Sequence, residues 1–137
     1  MLTNKILHQS TKHATPSMLK GCTKYVGSDR YAYLIVGIRN NGKELILEKP
    51  EMERADSNGF FSDQQAYTYK RKFGAQQIIL HYRYGAWWEL ATCPDRIKRI
   101  HDAKRYNNPN YQPPKNVYWG KWSVGFDGMH HYVDPSF

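Results

Sequence analysis

Two short stretches of the sequence set an arginine among aromatic side chains. "SDRYAY" places Arg30 at the start of a predicted strand, directly after a turn, and "HYRYGAWW" places Arg83 inside a predicted hairpin. A guanidinium presents five donors in a planar fork, and this geometry suits a phosphate group. Both arginines are therefore candidate phosphate ligands. For Arg30 the alternative is an ion pair with Asp29 or Glu48, which would occupy the same donors.

Tyrosines and tryptophans offer flat surfaces for a planar ligand. Tyr67 and Tyr69 share one face of a predicted strand, because alternate residues of a strand point the same way, and Arg71 supplies charge beside them. Trp87 and Trp88 are neighbours and point to opposite faces, so one belongs to the core and the other can face a ligand or a partner subunit. The alternative is a tyrosine-rich sheet without a ligand, since tyrosine also favours strands.

His130 and His131 are adjacent near the end of the sequence and are the remaining candidate ligand contacts. Adjacent residues of an extended segment point to opposite sides, so the two imidazoles rarely bind one ion. No cluster of carboxylates or cysteines accompanies them in the sequence, and we therefore expect no metal site. A polar edge, or a donor to a bound ligand, is the better interpretation of this pair.

No catalytic motif is present in the sequence. There is no glycine-rich phosphate loop, no G-x-S-x-G and no H-E-x-x-H. The two cysteines, Cys22 and Cys93, form no C-x-x-C pair. A phosphodiesterase would need a metal cluster or a general acid–base pair, and the sequence shows neither. We expect a binding protein that is not an enzyme and has no cofactor.

The composition favours an anionic partner. Lysine and arginine number 20 against 12 acids among 137 residues, which leaves a formal charge of +8. Such a balance indicates a nucleotide, a nucleic acid, a phosphate or a membrane surface as the partner. No apolar run approaches the ~20 residues that span a bilayer, and the first residues have no signal-peptide pattern. We therefore expect a cytoplasmic protein without a membrane partner.

Turn residues divide the chain into short alternating segments that predict strands. The turn "NNG" joins two of them as a hairpin over residues 31–49, because Asn and Gly tolerate positive φ. Residues 50–65 form a turn-rich insert, and the three segments between residues 66 and 92 predict a meander. A bulge is predicted at Gly120. The predicted strands are 21–27, 31–38, 43–49, 66–73, 76–84, 87–92 and 117–126.

A helix is predicted late in an otherwise β-rich chain. Residues 94–106 begin with Pro94 and place apolar residues at helical spacing, and a Pro/Asn-rich loop follows, so 94–116 is an inserted helix and loop. Residues 1–20 predict a polar N-terminal arm. Residues 1–137 then form one domain with a β-rich α+β fold. It has a small twisted antiparallel sheet or partly open β-barrel and one late helix.

Several stretches occur together in an order that marks a family resemblance. "SDRYAYLIV", then "RADSNGFFSDQQAYTY", then a hairpin that ends in Gly and Trp, then "YVDPSF" resemble the phage anti-Thoeris sponge proteins. The likeness covers about residues 20–92 and the last dozen residues. It implies a small phage protein that assembles as a dimer or hexamer in the cytoplasm of the infected bacterial host. It also implies that the chain sequesters a cyclic ADP-ribose isomer, or a cyclic di- or trinucleotide, between subunits without cleaving it, so that host defence stays silent.

Departures from the family pattern affect which side chains would bind the ligand. The family's C-terminal arginines are replaced here by "GMHH", and the resemblance therefore implies that His130 or His131 acts as the donor. Such binding would weaken as pH rises above the histidine pKa. The alternative hypothesis is a basic small β-barrel that binds DNA or RNA, or inhibits a nucleic-acid-handling host protein, through the helix 96–105 and surface tyrosines. Steep salt dependence would distinguish nucleic-acid binding from a nucleotide pocket.

Overall fold

The computed structural model describes Pro16, residues 20–59, Ser62 and residues 64–135 of the chain. The predicted arm over residues 1–20 lies almost wholly outside these described residues. The described part contains eight strands and one helix: β1 (Gly21–Val26), β2 (Asp29–Arg39), β3 (Glu44–Glu48), β4 (Glu51–Arg54), β5 (Tyr67–Lys70), β6 (Gln77–Arg83), β7 (Ala86–Leu90), α1 (Pro94–Asn107) and β8 (Tyr118–Gly125).

Six of the strands close into an antiparallel β-barrel in the order β1, β2, β3, β6, β7, β8. Thr23 and Lys24 of β1 pair with Gly125 and Val124 of β8, and this pairing completes the ring. The predicted β-rich fold with one late helix is confirmed, and the barrel is closed where the prediction allowed a partly open one. In the closed ring each of these six strands has a hydrogen-bonded neighbour on both sides.

The barrel interior is filled by apolar side chains at alternate strand positions. Its fully buried apolar residues are Cys22, Ile35, Leu45, Leu47 and Leu80, and Trp122 packs beside them. Leu45 and Leu47 of β3 are an example: they are two residues apart, so both side chains point to the inner face. Burial also raises the pKa of the Cys22 thiol to about 12. This cysteine is therefore a packing residue and not a nucleophile.

The predicted meander over residues 66–92 is wrong in its first strand. β5 pairs with β4, which lies inside the stretch that the sequence predicts as turns, and the two form a separate hairpin outside the barrel. β6 pairs instead with β3, and Leu80 lies opposite Leu45. The reason is burial: β6 brings the aliphatic Leu80 to the inner face against β3, whereas Tyr67 and Tyr69 of β5 carry hydroxyls that would need partners inside the barrel.

The other predicted elements are confirmed. The hairpin over residues 31–49 is β2 and β3, and both Asn40 and Asn41 in its turn have a φ of 55°, in the left-handed region that asparagine tolerates. The helix is α1, with a proline in its first turn and no buried residue. The bulge predicted at Gly120 is present, because the pairing of β7 with β8 skips the adjacent Trp119.

Candidate functional site

A cavity of about 270 Å³ opens where the start of β2, the start of β5 and the chain after β8 meet. We call residues 128–135 the C-terminal segment and this space the C-terminal cavity. Its lining residues are Arg30, Gln65, Ala66, Tyr67, Tyr69, Met129, His130 and His131. Five of the nine predicted site residues therefore converge here from three distant parts of the chain: Arg30, Tyr67, Tyr69, His130 and His131.

Hydrogen bonds hold the C-terminal segment beside β2 and β1. The Arg30 N–H donates to the Tyr132 carbonyl at 2.7 Å, and the Tyr132 N–H donates to the Arg30 carbonyl at 2.9 Å. The Thr23 hydroxyl donates to the Gly128 carbonyl at 2.8 Å and accepts from the His130 N–H at 3.0 Å. The segment thus continues the sheet at the start of β2, and this pairing places both histidines close to Arg30.

Gln65 joins the β4–β5 hairpin to the same segment. Its side-chain amide donates to the Val133 carbonyl at 2.7 Å and accepts from the Val133 N–H at 3.2 Å. The Tyr67 hydroxyl donates to the Gln65 Oε1 atom at 2.9 Å. One glutamine therefore sets the distance between the two walls of the C-terminal cavity.

Asp56 organises the loop that leads into β5. Its carboxylate accepts from the Asn58 N–H at 2.9 Å, from the Ala66 N–H at 2.8 Å and from the guanidinium of Arg54. The Arg54 guanidinium and the Ala66 N–H hold the pKa of Asp56 well below its usual range. Arg54 is thereby neutralised, and its guanidinium lies 5.7 Å from the centre of the Tyr67 ring. The turn-rich stretch is a structured support for Tyr67.

His131 is packed among tyrosines on the inner wall of the cavity. Its ring makes edge contacts with Tyr67 at 4.8 Å and with Tyr31 at 5.9 Å between ring centres. Its backbone N–H donates to the Tyr69 hydroxyl at 2.8 Å, which leaves the proton of that hydroxyl available to a ligand. Burial lowers the pKa of His131 from 6.5, the Lys49 cation lowers it further, and the Asp29 carboxylate opposes both.

The described residues of the cavity present donors without acids. No carboxylate is among these lining residues. The guanidinium of Arg30 is exposed and has no carboxylate within 4.0 Å among the described residues. The two acids that could have paired with it are engaged elsewhere: Asp29 accepts from the Asp134 N–H at 2.7 Å, and Glu48 pairs with Arg71 at 3.1 Å. Such an arrangement suits an anion.

The lowered pKa of His131 predicts a pH-dependent loss of stability. The unfolded chain binds a proton at this residue as pH falls through 6.5, and the folded chain binds it only at lower pH. The free energy of unfolding therefore falls in this window and is fully retained above it. Urea unfolding of the wild type and His131→Gln, from about pH 7.5 to about pH 5, measures the difference.

His130→Gln is the matched control for this prediction. His130 is half-exposed, and its Nε2 atom lies 3.5 Å from Asp127, so its removal leaves the burial of His131 unchanged. The control should keep the wild-type dependence on pH, while His131→Gln should show a shallower one. Identical pH profiles for wild type and His131→Gln would contradict the assignment.

Four predicted site residues lie away from the C-terminal cavity. Arg71 ties the end of β5 to the barrel through Glu48 and lowers the pKa of that carboxyl. Arg83 lies at the β6–β7 turn, 4.6 Å from the centre of the Tyr118 ring. Trp87 packs against the core and Phe126, and Trp88 donates its indole N–H to the Arg83 carbonyl at 3.1 Å. Trp87 is therefore the core tryptophan of the pair.

Gln65, Ala66 and Met129 line the cavity and are missed by the sequence-based prediction. Gln65 and Ala66 directly precede Tyr67 in the sequence, so the prediction of Tyr67 as a site residue could have been extended to them. The role of Gln65 depends on bonds to Val133, which is 68 residues away. Met129 lies over β1 because the chain crosses it there. Neither long-range contact leaves a mark in the local sequence.

Comparisons with protein families, with curated proteins and with solved structures find no match to this chain. The resemblance to the sponge family therefore stays a prediction. Within the described residues, no three or more His, Cys, Asp or Glu side chains are grouped so that they could hold a metal ion. The same part of the chain has no helix long and apolar enough to cross a membrane.

Proposed function

We propose that the protein is a non-enzymatic phage sponge that sequesters a cyclic nucleotide immune signal and so blocks host anti-phage defence. The signal is a cyclic ADP-ribose isomer or a cyclic oligonucleotide, bound in the cytoplasm of the infected bacterial host. One observation carries the proposal. Arg30, Tyr67, Tyr69 and His131 come from three distant segments and meet in one cavity whose described lining residues include no carboxylate.

The chemistry of the cavity matches the parts of a cyclic nucleotide. Arg30 at the open rim would bind a phosphate through its planar fork. The rings of Tyr67 and Tyr69 would contact a base or a ribose, and the Tyr69 hydroxyl would donate to it. His131 would contribute an imidazole that is neutral at pH 7. A bound phosphate would favour its protonated form, so affinity would rise as pH falls.

The small size of the cavity favours a binding form with more than one copy of the chain. Its volume is about 270 Å³, just below the roughly 300–1,000 Å³ typical of small-molecule sites. It therefore has room for about one nucleotide unit and leaves the rest of a cyclic di- or trinucleotide at the rim. A second copy of the chain would cover that remainder, and we propose a homo-oligomer, a dimer or a hexamer, as the binding form.

Calorimetric titration against a nucleotide panel tests the proposal. The panel contains cyclic ADP-ribose isomers, cyclic di- and trinucleotides, linear ADP-ribose, and a short single-stranded DNA. After each titration the protein is denatured and the released ligand is identified by mass spectrometry. We expect stoichiometric binding of a cyclic member and its recovery intact. The absence of heat from every cyclic nucleotide would overturn the proposal.

Recovery of cleaved ligand would indicate a different function for the same cavity. His130 and His131 both line it, and two imidazoles can serve as a general acid and a general base on a phosphodiester. Sequestration is the preferred function because the His131 ring is enclosed by Tyr31 and Tyr67 and its Nδ1 atom is buried. The Nδ1 atom is therefore closed to a ligand in the cavity, which leaves His131 at most one ring nitrogen for such a contact.

A further inference from the structure

A second positively charged surface lies on a different part of the barrel. Residues 81–121 are all described, and they contain eight Lys and Arg residues against three acids. They therefore account for five of the eight net positive charges of the chain. We define the outer basic face by six of these residues: Arg83, Tyr84, Arg96, Arg99, Tyr118 and Trp119. None of them lines the C-terminal cavity.

Arginine–aromatic stacks form the centre of this face. The Arg83 guanidinium lies 4.6 Å from the Tyr118 ring centre and 5.2 Å from that of Tyr84. The Arg96 guanidinium lies 4.4 Å from the Trp119 ring centre. Tyr118 and Trp119 are consecutive, with Cα atoms about 3.8 Å apart. The two arginine–aromatic groups are therefore adjacent along β8.

Most of the cations on this part of the chain are not neutralised. Of the eight, only Lys98 and Arg105 have a carboxylate within 4.0 Å among the described residues, and both use Asp102. Glu89 accepts from the Trp122 indole N–H at 2.8 Å and is turned to the barrel interior. Asp95, in the first turn of α1, makes no ion pair with a described residue.

One further acid, Glu44, borders the face and is engaged by two basic side chains. The Glu44 carboxylate pairs with Arg39 at 2.6 Å and with the His81 Nε2 atom at 3.1 Å. The other ring nitrogen of His81 lies 2.8 Å from the Tyr118 hydroxyl. These contacts hold the Tyr118 ring in place and engage the Glu44 carboxylate with partners other than Arg83. The potential at the stacks is therefore set by the arginines.

We propose that the outer basic face binds single-stranded nucleic acid. Exposed rings beside arginines provide stacking positions for bases, and guanidinium planes stack on bases as well. Tyr84 is 90% exposed and lies at the rim of the face. Its ring can stack on an unpaired base, whereas the bases of a duplex are already paired and stacked. Arg96 and Arg99 are three residues apart on α1 and so share the side of the helix that meets Trp119. They would bind successive phosphates.

Fluorescence anisotropy with a labelled oligothymidylate and oligouridylate of about 12 nucleotides tests this inference. A DNA duplex of equal length and phosphatidylserine vesicles are the competing probes. We expect the single strands to bind more tightly than the duplex, with affinity that falls as salt rises. Arg83→Ala combined with Arg96→Ala should weaken binding at least ~10-fold and make the logarithmic salt slope shallower by about 1.4, roughly 0.7 for each lost cation.

The control removes the same charge elsewhere. Lys70→Ala combined with Lys72→Ala alters two exposed lysines on the hairpin side and should change affinity less than about 2-fold. Tyr84→Asn keeps a residue that tolerates the φ of 51° at that turn, leaves the charge unchanged and should weaken binding roughly 5- to 100-fold through lost stacking. Near-wild-type binding of Tyr84→Asn would show that Tyr84 does not stack on a base of the bound strand.

Three results would overturn the inference as a whole. They are single-strand binding weaker than about 10⁻⁴ M at low salt, preference for duplex or vesicles, and equal losses in the two double variants. The inference does not rest on the proposed function. Arg30→Ala should bind the oligonucleotides as the wild type does, and the outer-face variants should bind a cyclic nucleotide normally, so each proposal can fail alone.

Discussion

Replacing Arg30 by alanine is expected to weaken cyclic nucleotide binding roughly 10- to 100-fold and to leave the fold intact. A hydrogen bond to a charged group contributes about 1.5–3 kcal/mol, and each 1.4 kcal/mol changes affinity about tenfold. The Arg30 side chain is exposed and makes no ion pair with a described residue. Its backbone bonds to Tyr132 persist in the variant. Calorimetry with the cyclic nucleotide that the panel identifies measures the loss.

Arg39→Ala is the matched control for this prediction. Both arginines belong to β2 and are nine positions apart, which is roughly 30 Å along a strand. Arg39 is paired with Glu44 at the other end of the barrel, so its removal should leave nucleotide affinity unchanged. Arg30→Lys should give an intermediate loss, because it keeps the charge and loses the planar fork. Wild-type affinity in Arg30→Ala would remove this residue from the site.

Replacing Gly21 by alanine is expected to destabilise the chain by about 1–3 kcal/mol and to weaken ligand binding as well. A Cβ atom at position 21 would lie 2.7 Å from the Met129 backbone nitrogen and 3.0 Å from the Gly128 carbonyl carbon. Backbone atoms cannot rotate away, so the C-terminal segment must shift. That movement would strain the Thr23 hydrogen bonds and displace His131 from Tyr67.

Gly120→Ala is the control that separates the effect of the C-terminal segment over Gly21 from the general effect of alanine in a barrel strand. A Cβ atom at Gly120 meets nothing within 4 Å, and the residue also lies in a barrel strand. Thermal and urea unfolding should show a clear loss of stability for Gly21→Ala and little change for Gly120→Ala. Equal stability of the two variants would mean that the C-terminal segment does not pack on β1 as described.

Several features of this protein follow from short-range sequence patterns. The inward leucines of β3 are fixed by a spacing of two residues, and the turn at Asn40 and Asn41 by their tolerance of positive φ. The start of α1 follows from Pro94 and the apolar spacing after it. These patterns succeed because their physical causes act within a few residues of chain.

The identity of five cavity residues was also readable, but their meeting was not. Residue type marked Arg30, Tyr67, Tyr69, His130 and His131 as suited to an anionic, planar ligand. The same reasoning marked Arg71 and Arg83 equally, and nothing local separates them from Arg30. The difference is made by tertiary position: Glu48 holds Arg71, Arg83 lies over Tyr118 at the β6–β7 turn, and of the three only Arg30 lines the C-terminal cavity.

Strand pairing was decided by the tertiary structure alone. β5 and β6 are adjacent in sequence and alternate in similar ways, yet β6 joins the barrel and β5 pairs with β4. The choice depends on which strand can bury an apolar face against β3, and Leu80 opposite Leu45 meets that need. The sequence by itself therefore determined the β-rich class, the helix and the residue types of the site. Barrel closure and the return of the C-terminal segment to β1 and β2 decided which side chains meet, because those contacts join residues more than 60 positions apart.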